Sequence, residues 1–377
     1  MNELYNIISI FVTSGLILVC GLMFLFVNFP RTPLLNNYRK ARKMMATAYL
    51  FFVGMNIAEY MSDAFYESDV LFLRTVTLAV AVSQALLFTL ALLSLLEVRF
   101  PGWRYIFMKS IPAVVLCTTI FIVHAFCSDR CFTIAFYGLA GMYFLLLIYY
   151  TRLFLARYRL FHRQMDNYFS DNEVERMRWV AFLFFAALTI GVMALVSVIF
   201  HDIFVALLFT LALDVFYVWF AFRFVNYTYW FHTIEPALNN ELKETPVLPE
   251  VEKTVVANPA TETFPSAVFA TLEEQIEQWV AGRKFVDKGI TIDKLSLEFY
   301  TNRNYLSTYI NTYKGKTFRE WINELRIEEA KILMRQYPDM IVNEVAIQVG
   351  FTDKSHFIRN FTKQTGKSPK KWKEILP

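Results

Sequence analysis

The sequence predicts an all-α protein with two physically different parts: a polytopic bundle of about seven transmembrane helices and a soluble helical domain. Two observations carry this prediction. Hydrophobic residues make up 56% and charged residues 19% of the 377 positions, whereas about a quarter of a soluble domain is usually charged. The distribution is also uneven, because apolar residues crowd roughly the first 230 positions and charged residues the last 110.

Seven apolar segments are long enough to cross about 30 Å of hydrocarbon as helices. They are Leu4–Phe29, Met44–Met61, Val76–Leu96, Phe107–Phe126, Phe132–Tyr150, Trp179–Phe200 and Ile203–Phe224. The second is the weakest, because it contains Asn56 and Glu59. The first lacks the basic start and short apolar core of a cleavable signal peptide, so we expect it to remain as a span.

Lysine and arginine are concentrated in alternate loops, and this sets the expected orientation. The loops after the first, third and fifth predicted spans are basic, whereas the alternate loops hold only Arg74 and Arg130. Basic loops face the cytoplasm. We therefore predict a multi-pass protein of the cytoplasmic membrane, in contact with lipid, with its N-terminus outside and its C-terminal domain in the cytoplasm.

Three ionisable residues in or near the predicted spans are candidates for sensing a signal: Asp214, Glu59 and His124. A charge inside the hydrocarbon costs at least about 2–3 kcal/mol on insertion scales, so such groups should face the bundle interior and find partners. The alternative, which we favour, is interhelical hydrogen bonding that only fixes the bundle. It is strongest for Glu59 and His124, because both lie near span ends.

The four cysteines form no CxxC motif or Cys/His cluster, so the sequence predicts no structural zinc and no other cofactor. Cys127 and Cys131 flank a short loop, where they either form a disulfide in an oxidising compartment or remain free thiols. The soluble part also lacks a Gly-rich phosphate loop and a nucleophile constellation, so we expect no enzyme.

Residues 232–266 are rich in Pro and Glu and poor in large apolar side chains. This composition predicts a flexible acidic linker between a transmembrane domain, residues 1–231, and a soluble domain, residues 267–377. A coil of this length has an end-to-end distance on the order of 30–35 Å, which lets the soluble domain reach DNA near the membrane. The linker is either a plain spacer or the place where a protease frees the soluble domain.

The soluble domain contains two units, each with a short helix, a tight turn and a second helix. The helices are predicted at Ile292–Phe299 and Asn302–Ile310 in the first unit, and at Ile341–Val349 and Asp353–Phe361 in the second. Gly350 supplies the second turn, where a positive φ is expected. A helix of about 28 Å, Phe318–Gln336, lies between the units and could hold two recognition helices about one DNA turn apart.

The second unit contains the run Glu344-Val-Ala-Ile-Gln-Val-Gly-Phe351, followed by Ser355-His-Phe357, Thr365-Gly-Lys-Ser-Pro369 and Trp372. Together with Tyr305-Leu-Ser307 and Glu324-Leu-Arg326, this pattern resembles the AraC/XylS-type DNA-binding domain. The resemblance covers under a third of the chain. It implies sequence-specific DNA binding and promoter control, often through RNA polymerase. Four positions depart from the family pattern, with Tyr300 in place of the usual turn glycine, and with Ser296, Thr362 and Lys373.

Polar side chains beside the apolar stripe of each second helix are predicted to contact base edges or phosphates. They are Asn302, Arg303, Asn304, Ser307, Thr308 and Asn311 in the first unit, and Asp353, Lys354, Ser355, His356, Arg359 and Asn360 in the second. Arg303 and Arg359 are the best candidates for bidentate contacts, although Arg359 fits an intradomain or phosphate contact equally well. The lysines Lys363, Lys367, Lys370, Lys371 and Lys373 are assigned to the DNA backbone, with a solvated surface as the alternative.

These features predict a membrane-anchored, sequence-specific transcription regulator that couples a membrane or extracytoplasmic signal to promoter control. Double-stranded DNA is the expected partner, with RNA polymerase, a second copy of the chain and an unknown small-molecule or protein signal as further partners. The alternatives are a transporter or receptor with a fused helical regulatory domain, and a regulator released by proteolysis of the linker.

Overall fold

The computed structural model describes residues 8–27, 36–65, 70–96, 103–171, 177–200, 203–239 and 266–375. Over these ranges the protein is helical and has no strands, as the sequence predicts. The chain divides into two compact units. The first unit comprises Met1–Phe161 and Met177–Leu238, and the second comprises His162–Arg176 and Asn239–Pro377.

The first unit is a helical bundle that begins with a short π-helical segment, Ile8–Thr13. Its helices are α1 (Ser14–Phe26), α2 (Asn36–Phe65), α3 (Val70–Leu96), α4 (Trp103–Phe126), α5 (Asp129–Tyr168), α6 (Arg178–Phe200) and α7 (Ile203–Asn239). Helix α3 packs against α2, α4 and α6. It is the central helix, since 67% of its most apolar stretch is buried, compared with 17% for α4.

Five helices in the described residues are long and apolar enough to cross a membrane: Arg74–Leu96, Arg104–Phe126, Arg130–Tyr168, Arg178–Ser197 and Leu207–Asn226. The expected count of seven is therefore not confirmed. The first predicted span appears as the shorter apolar helix Phe11–Phe26, because its two ends lie outside the described residues. The second predicted span lies in α2, and polar residues within it, among them Asn56 and Glu59, lower its hydropathy.

Helix α5 is longer than the sequence suggested. We expected the span Phe132–Tyr150 to be followed by a basic loop, but the helix continues to Tyr168. Its 40 residues correspond to about 60 Å, roughly twice the thickness of the hydrocarbon. No glycine or proline follows Tyr150 in this helix, so nothing in the local sequence ends it. Its last residues, from His162, belong to the second unit.

The end of the bundle also differs from the expected boundary. Helix α7 continues to Asn239, eight residues into the stretch predicted as linker. The aromatic run Tyr227–Phe231 keeps this part of the sequence apolar, so intrahelical hydrogen bonding remains favourable there. Residues 240–265, most of the predicted linker, lie outside the described residues. Cys127 and Cys131 are free thiols in the structure.

The second unit contains the two predicted helix pairs. Its helices are α8 (Ser266–Ala281), α9 (Ile292–Glu298), α10 (Arg303–Tyr313), α11 (Phe318–Gln336), α12 (Val342–Gln348), α13 (Lys354–Thr365) and α14 (Pro369–Lys373), with a 3-10 turn at Lys284–Val286. Helices α9 and α10 form the first pair, α12 and α13 form the second, and α11 lies between them in the chain. The described residues thus reproduce the predicted order of the soluble domain.

Local sequence encodes where these helices begin. The side chains of Thr291, Asn302, Thr317, Asp353 and Ser368 each accept a hydrogen bond from a backbone N–H in the first turn that follows. Such caps satisfy donors that have no partner within the helix and are worth about 1 kcal/mol each. The Thr317 N–H in turn donates to the Glu320 carboxylate, which completes a capping box.

Candidate nucleic-acid interface

The tight turn of the second helix pair depends on Gly350. Its φ is +90°, and a Cβ placed there would lie 2.1 Å from the carbonyl oxygen of Val286. Both the backbone conformation and the close approach therefore require glycine. Tyr300 occupies the equivalent turn of the first pair with a φ of +46° and is 93% exposed. The first turn therefore adopts the left-handed geometry despite its departure from the family pattern.

The recognition helix of the first pair, α10, presents a polar face beside a buried one. Leu306, Tyr309 and Ile310 pack into the unit. The opposite face carries predicted DNA contacts, of which Asn302, Asn304 and Asn311 are exposed and Ser307 and Thr308 are half-buried. Two of these side chains already have local partners. Asn302 accepts from the Asn304 N–H at 2.9 Å, and Asn311 donates to Ser307 Oγ at 3.2 Å.

Arg303, the first residue of α10, differs from its neighbours because another part of the chain covers it. Its guanidinium carbon lies 5.1 Å from the centre of the Tyr168 ring. Its Nε is 3.7 Å from Asp293 Oδ1, and 23% of its side chain is exposed. Arg303 is therefore at the predicted reading position, but its cationic head is engaged within the unit.

The recognition helix of the second pair, α13, exposes Lys354, Ser355 and Arg359. Asp353 caps this helix by accepting the His356 N–H at 2.9 Å. His356 itself is only 5% exposed. Its Nε2 lies 2.7 Å from an Arg319 nitrogen.

Asn360, one turn after His356 on α13, donates to the His356 carbonyl at 2.9 Å. Phe357 and Phe361 form the buried stripe of this helix.

The lysines assigned to the DNA backbone are not equivalent. Lys367, Lys370 and Lys371 are exposed, whereas Lys373 donates its ammonium to the Met340 carbonyl at 2.5 Å. Lys363 is exposed and lies 3.6 Å from Glu320. The exposed members lie in the last turn of the second recognition helix and after it in the chain, where phosphate contacts were predicted.

The unit also contains charged side chains that sequence reasoning missed. Arg326 is buried, with its side chain 1% exposed, and pairs with Asp171 at 3.1 Å. Burial lowers the pKa of Arg326, and the carboxylate of Asp171 opposes this shift. Arg319 pairs with Asp166 at 2.8 Å. Arg326 lies within a family motif, but its acidic partner is 155 positions away, so no local pattern could have indicated the pair.

The candidate sensing residues of the bundle fall in three different helices. Asp214, in α7, is 9% exposed and accepts from the Thr13 hydroxyl at 3.0 Å. His124 packs edge-on against Phe132. Glu59 falls in α2, but its side chain lies outside what the structure describes.

The first unit contains a partly open cavity of about 170 Å³, lined by Thr13 and by residues of α2, α3, α5, α6 and α7. Among the described residues, none that lines it is charged. Its polar groups include Asn56, Gln84 and Thr210. Gln84 donates to the Ala48 carbonyl at 2.8 Å, while its Oε1 has no hydrogen-bond partner among the described residues.

Comparison with known proteins defines the class of the C-terminal part. Residues 295–375 match the model of a helix-turn-helix domain family, so this part of the chain carries an AraC-type helix-turn-helix domain. The uncharacterized HTH-type transcriptional regulator YijO of Escherichia coli K12 is 33% identical over 107 residues, which are 28% of this chain and 35% of that protein. The HTH-type transcriptional activator RhaR of Salmonella schwarzengrund is 23% identical over 116 residues, 31% of this chain and 40% of RhaR.

The chain matches well under half the length of these curated relatives, and each match covers under a third of this chain. A solved structure of a protein of unknown function from Listeria innocua matches 28% of this chain and 97% of its own, at 26% identity and a TM-score of 0.25.

Proposed function

We propose that this protein is a membrane-anchored transcription regulator that binds specific DNA through its two helix-turn-helix pairs and couples a membrane or extracytoplasmic signal to promoter control. The observation that carries the proposal is the pair of recognition helices, α10 and α13. Each buries an apolar stripe and leaves hydrogen-bonding side chains beside it. The similarity to regulators supports the same activity.

In this proposal the two helices read bases and the lysines hold the backbone. Arg359 is the leading candidate for a bidentate contact with guanine, because it is exposed on α13. Asn304, Asn311, Lys354 and Ser355 supply further contacts. Asp353 and Asn302 act as caps that set the start of each helix, and buried His356 positions α13.

The membrane location rests on the five apolar helices and the distribution of basic loops. The make-up of the second compact unit supports a cytoplasmic C-terminal domain. Residues at the end of α5, which the basic-loop pattern places in the cytoplasm, belong to the same compact unit as the helix-turn-helix pairs. Both must then lie on the same side of the membrane.

The uncharged cavity in the bundle favours a particular kind of signal. A volume of about 170 Å³ admits a small molecule, and the mostly apolar lining selects a neutral one. The unpaired Oε1 of Gln84 would accept a hydrogen bond from it. Asp214 and His124 are not part of this lining, but Thr13 is. Its hydroxyl donates to Asp214, so Asp214 is one hydrogen bond from the cavity.

The deciding experiment maps DNA crosslinked to the full-length protein in the membrane fraction, together with a blot for the C-terminus. Discrete promoter peaks with full-length protein only are the expected result. Peaks found only with a soluble fragment would mean that linker proteolysis is the switch. Absence of peaks under all growth conditions would contradict the proposal and favour a transporter or receptor.

A matched pair of variants then tests the reading role. Arg359→Ala should weaken binding to the mapped site by about 1–3 kcal/mol and relax the preference at one base pair. Lys370→Ala should weaken binding to all sequences alike. Affinity and specificity that both survive in Arg359→Ala would assign this arginine to an intradomain contact instead. Both are measured by fluorescence anisotropy on operator and scrambled duplexes.

A further inference from the structure

The end of α5 is built into the DNA-binding unit. His162–Asp171, called here the docking segment, belongs to that unit and not to the bundle. Its backbone is joined to the loop before α9. The Ser170 N–H donates to the Ile290 carbonyl at 3.1 Å, and Phe169 and Thr291 form an antiparallel bridge. Ser170 is fully buried.

Acidic side chains of the docking segment meet arginines of α11. Asp171 receives the Arg326 guanidinium at 3.1 Å and the Gly289 N–H at 3.0 Å. Asp166 pairs with Arg319 at 2.8 Å, with side-chain exposures of 29% and 16%. Partly buried ion pairs are screened less by salt than surface pairs. These two pairs therefore help to hold the docking segment against α11.

The docking segment also covers a predicted DNA-reading residue. Tyr168 is 3% exposed. Its ring lies beneath the Arg303 guanidinium at 5.1 Å, and its hydroxyl donates to Asp293 Oδ2 at 2.9 Å. Asp293 in turn lies 3.7 Å from Arg303. In this position only 23% of the Arg303 side chain is exposed, which limits its access to the edge of a base.

The second recognition helix is linked to the same contacts. Arg319, the partner of Asp166, also touches the ring nitrogen of His356 at 2.7 Å, and His356 lies in the first turn of α13. The docking segment therefore reaches the start of α10 directly and the start of α13 through one arginine. These are the ends of the recognition helices that carry base contacts in helix-turn-helix domains.

From this geometry we propose that the docking segment is an internal inhibitor of DNA binding. It holds Arg303 away from DNA in the docked state, and release of Tyr168 from Arg303 is the step through which the bundle controls the promoter. This inference rests on the proposed DNA-binding function. Docked and DNA-bound states compete, so the apparent dissociation constant exceeds the intrinsic one by the inverse of the undocked fraction.

The test uses full-length protein in lipid nanodiscs and the operator found by crosslinking. Tyr168→Ala removes both the ring under Arg303 and the bond to Asp293, and should tighten operator binding by about 3- to 30-fold. Tyr168→Phe keeps the ring and should give a smaller gain. Tyr158→Ala is the matched control, because it makes the same change on the same helix but in the bundle unit, and should leave affinity unchanged.

Hydrogen exchange on the same samples provides a second readout that does not depend on affinity. The Ser170 and Gly289 amides should be protected in free wild-type protein and should lose protection when operator is added. Asp171→Asn should lose protection without operator. Because it strands part of a buried guanidinium charge, it is used only if exchange in α11–α13 shows that the unit remains folded.

The outcomes separate the two proposals. If wild type binds the operator and Tyr168→Ala binds no more tightly, the docking segment is a permanent part of the domain and the inhibitory role is overturned, while DNA binding stands. Amides that remain protected in the operator complex would overturn it equally. If Tyr168→Ala binds the operator and wild type does not, the docking segment blocks DNA binding completely and the inhibitory role is supported. If no form binds any DNA, both proposals fail.

Discussion

Two glycines of the second helix-turn-helix pair share a backbone conformation but differ in their surroundings. Gly350 and Gly366 have φ values of +90° and +73°, yet only Gly350 faces an atom that a Cβ would strike. Alanine at Gly366 would therefore meet backbone strain alone, whereas alanine at Gly350 would meet strain and a steric clash. The difference also explains why Gly350 could be predicted from the turn alone, while its contact with Val286 could not.

Gly350→Ala should therefore destabilise the C-terminal unit by more than about 3 kcal/mol, since the clash adds to the strain of the left-handed region. Gly366→Ala should cost only about 1 kcal/mol, because space is open there. The measurement is the opening free energy of α12–α13 by hydrogen exchange in full-length protein. Equal losses in the two variants would show that strain alone accounts for the effect.

Tyr300 gives a prediction of the opposite sign. A non-glycine residue at positive φ costs about 1–2 kcal/mol, and this side chain is almost fully exposed. Tyr300→Gly should therefore stabilise the first pair by about 0.5–1 kcal/mol, once the greater freedom of glycine in the unfolded chain is deducted.

The control for this change is Tyr337→Gly. This tyrosine is also exposed but has a φ of −128°, so glycine relieves no strain there and should destabilise by about 0.5–1 kcal/mol. Both values come from the same exchange experiment. A loss of stability in Tyr300→Gly would mean that the ring makes a contact that outweighs the strain.

At the scale of single elements, the start of α11 is sensitive to pH. The hydrogen bond from the Thr317 N–H holds the pKa of Glu320 below its ordinary value of 4.5. A carboxylate whose native pKa is lowered contributes stability above the unfolded pKa and loses it as pH falls through the native pKa. The free energy of unfolding of this unit should therefore decrease as the pH falls below about 4.5.

Glu320→Gln should remove that part of the pH dependence while keeping a hydrogen-bonding side chain at the same place. Thr317→Ala serves as the comparison and should cost about 0.5–2 kcal/mol at pH 7 by removing the cap. Guanidinium titrations at several pH values, followed by exchange of α11 amides, measure both. An unchanged pH profile in Glu320→Gln would assign the dependence to another carboxylate.

Elements built from local signals were predictable, and those built from distant contacts were not. The helix pairs appear where the sequence indicates, because their signals are local. The caps at Asn302 and Asp353 and the apolar stripe of α13 each involve residues only a few positions apart. The part of α5 that extends to Tyr168 was predicted as a loop, because its arginines match the pattern of a basic cytoplasmic loop. Its contact with Asp293 joins positions 125 apart, beyond any periodic pattern.

The number of apolar helices long enough to span a membrane differs from the expected seven for another reason. Hydropathy identifies a span by its average composition, and in α2 the polar Asn56 and Glu59 lie among the apolar residues. The five remaining helices satisfy the criterion without ambiguity. The residues assigned to DNA contacts stay predictions, and the structure gives their exposure: Arg359 is exposed on α13, whereas Arg303 lies against Tyr168.

At the scale of the whole molecule, affinity for DNA should depend on salt through the number of lysines that reach phosphates. The logarithm of the binding constant falls with the logarithm of salt concentration, by about 0.9 per phosphate contact. Lys370→Ala should reduce this slope by about one, because Lys370 is exposed. Lys373→Ala should leave it nearly unchanged, since that ammonium is bonded to the Met340 carbonyl.

Both slopes are measured by anisotropy titrations of full-length protein at salt concentrations from about 50 to about 300 mM. If Lys373→Ala changed the slope as much as Lys370→Ala, the ammonium of Lys373 would have to leave Met340 when DNA binds. If neither variant changed it, the lysines would be a solvated surface only.

The docking segment and the recognition helices are parts of one polypeptide, which sets how the proposed inhibition scales in a cell. An intramolecular ligand acts at a fixed effective concentration, in the millimolar range for short tethers, whatever the number of protein copies. Raising expression would fill more operators but would not change the docked fraction of each molecule. The promoter response would then report the state of the bundle, largely insulated from fluctuations in how much regulator the membrane holds.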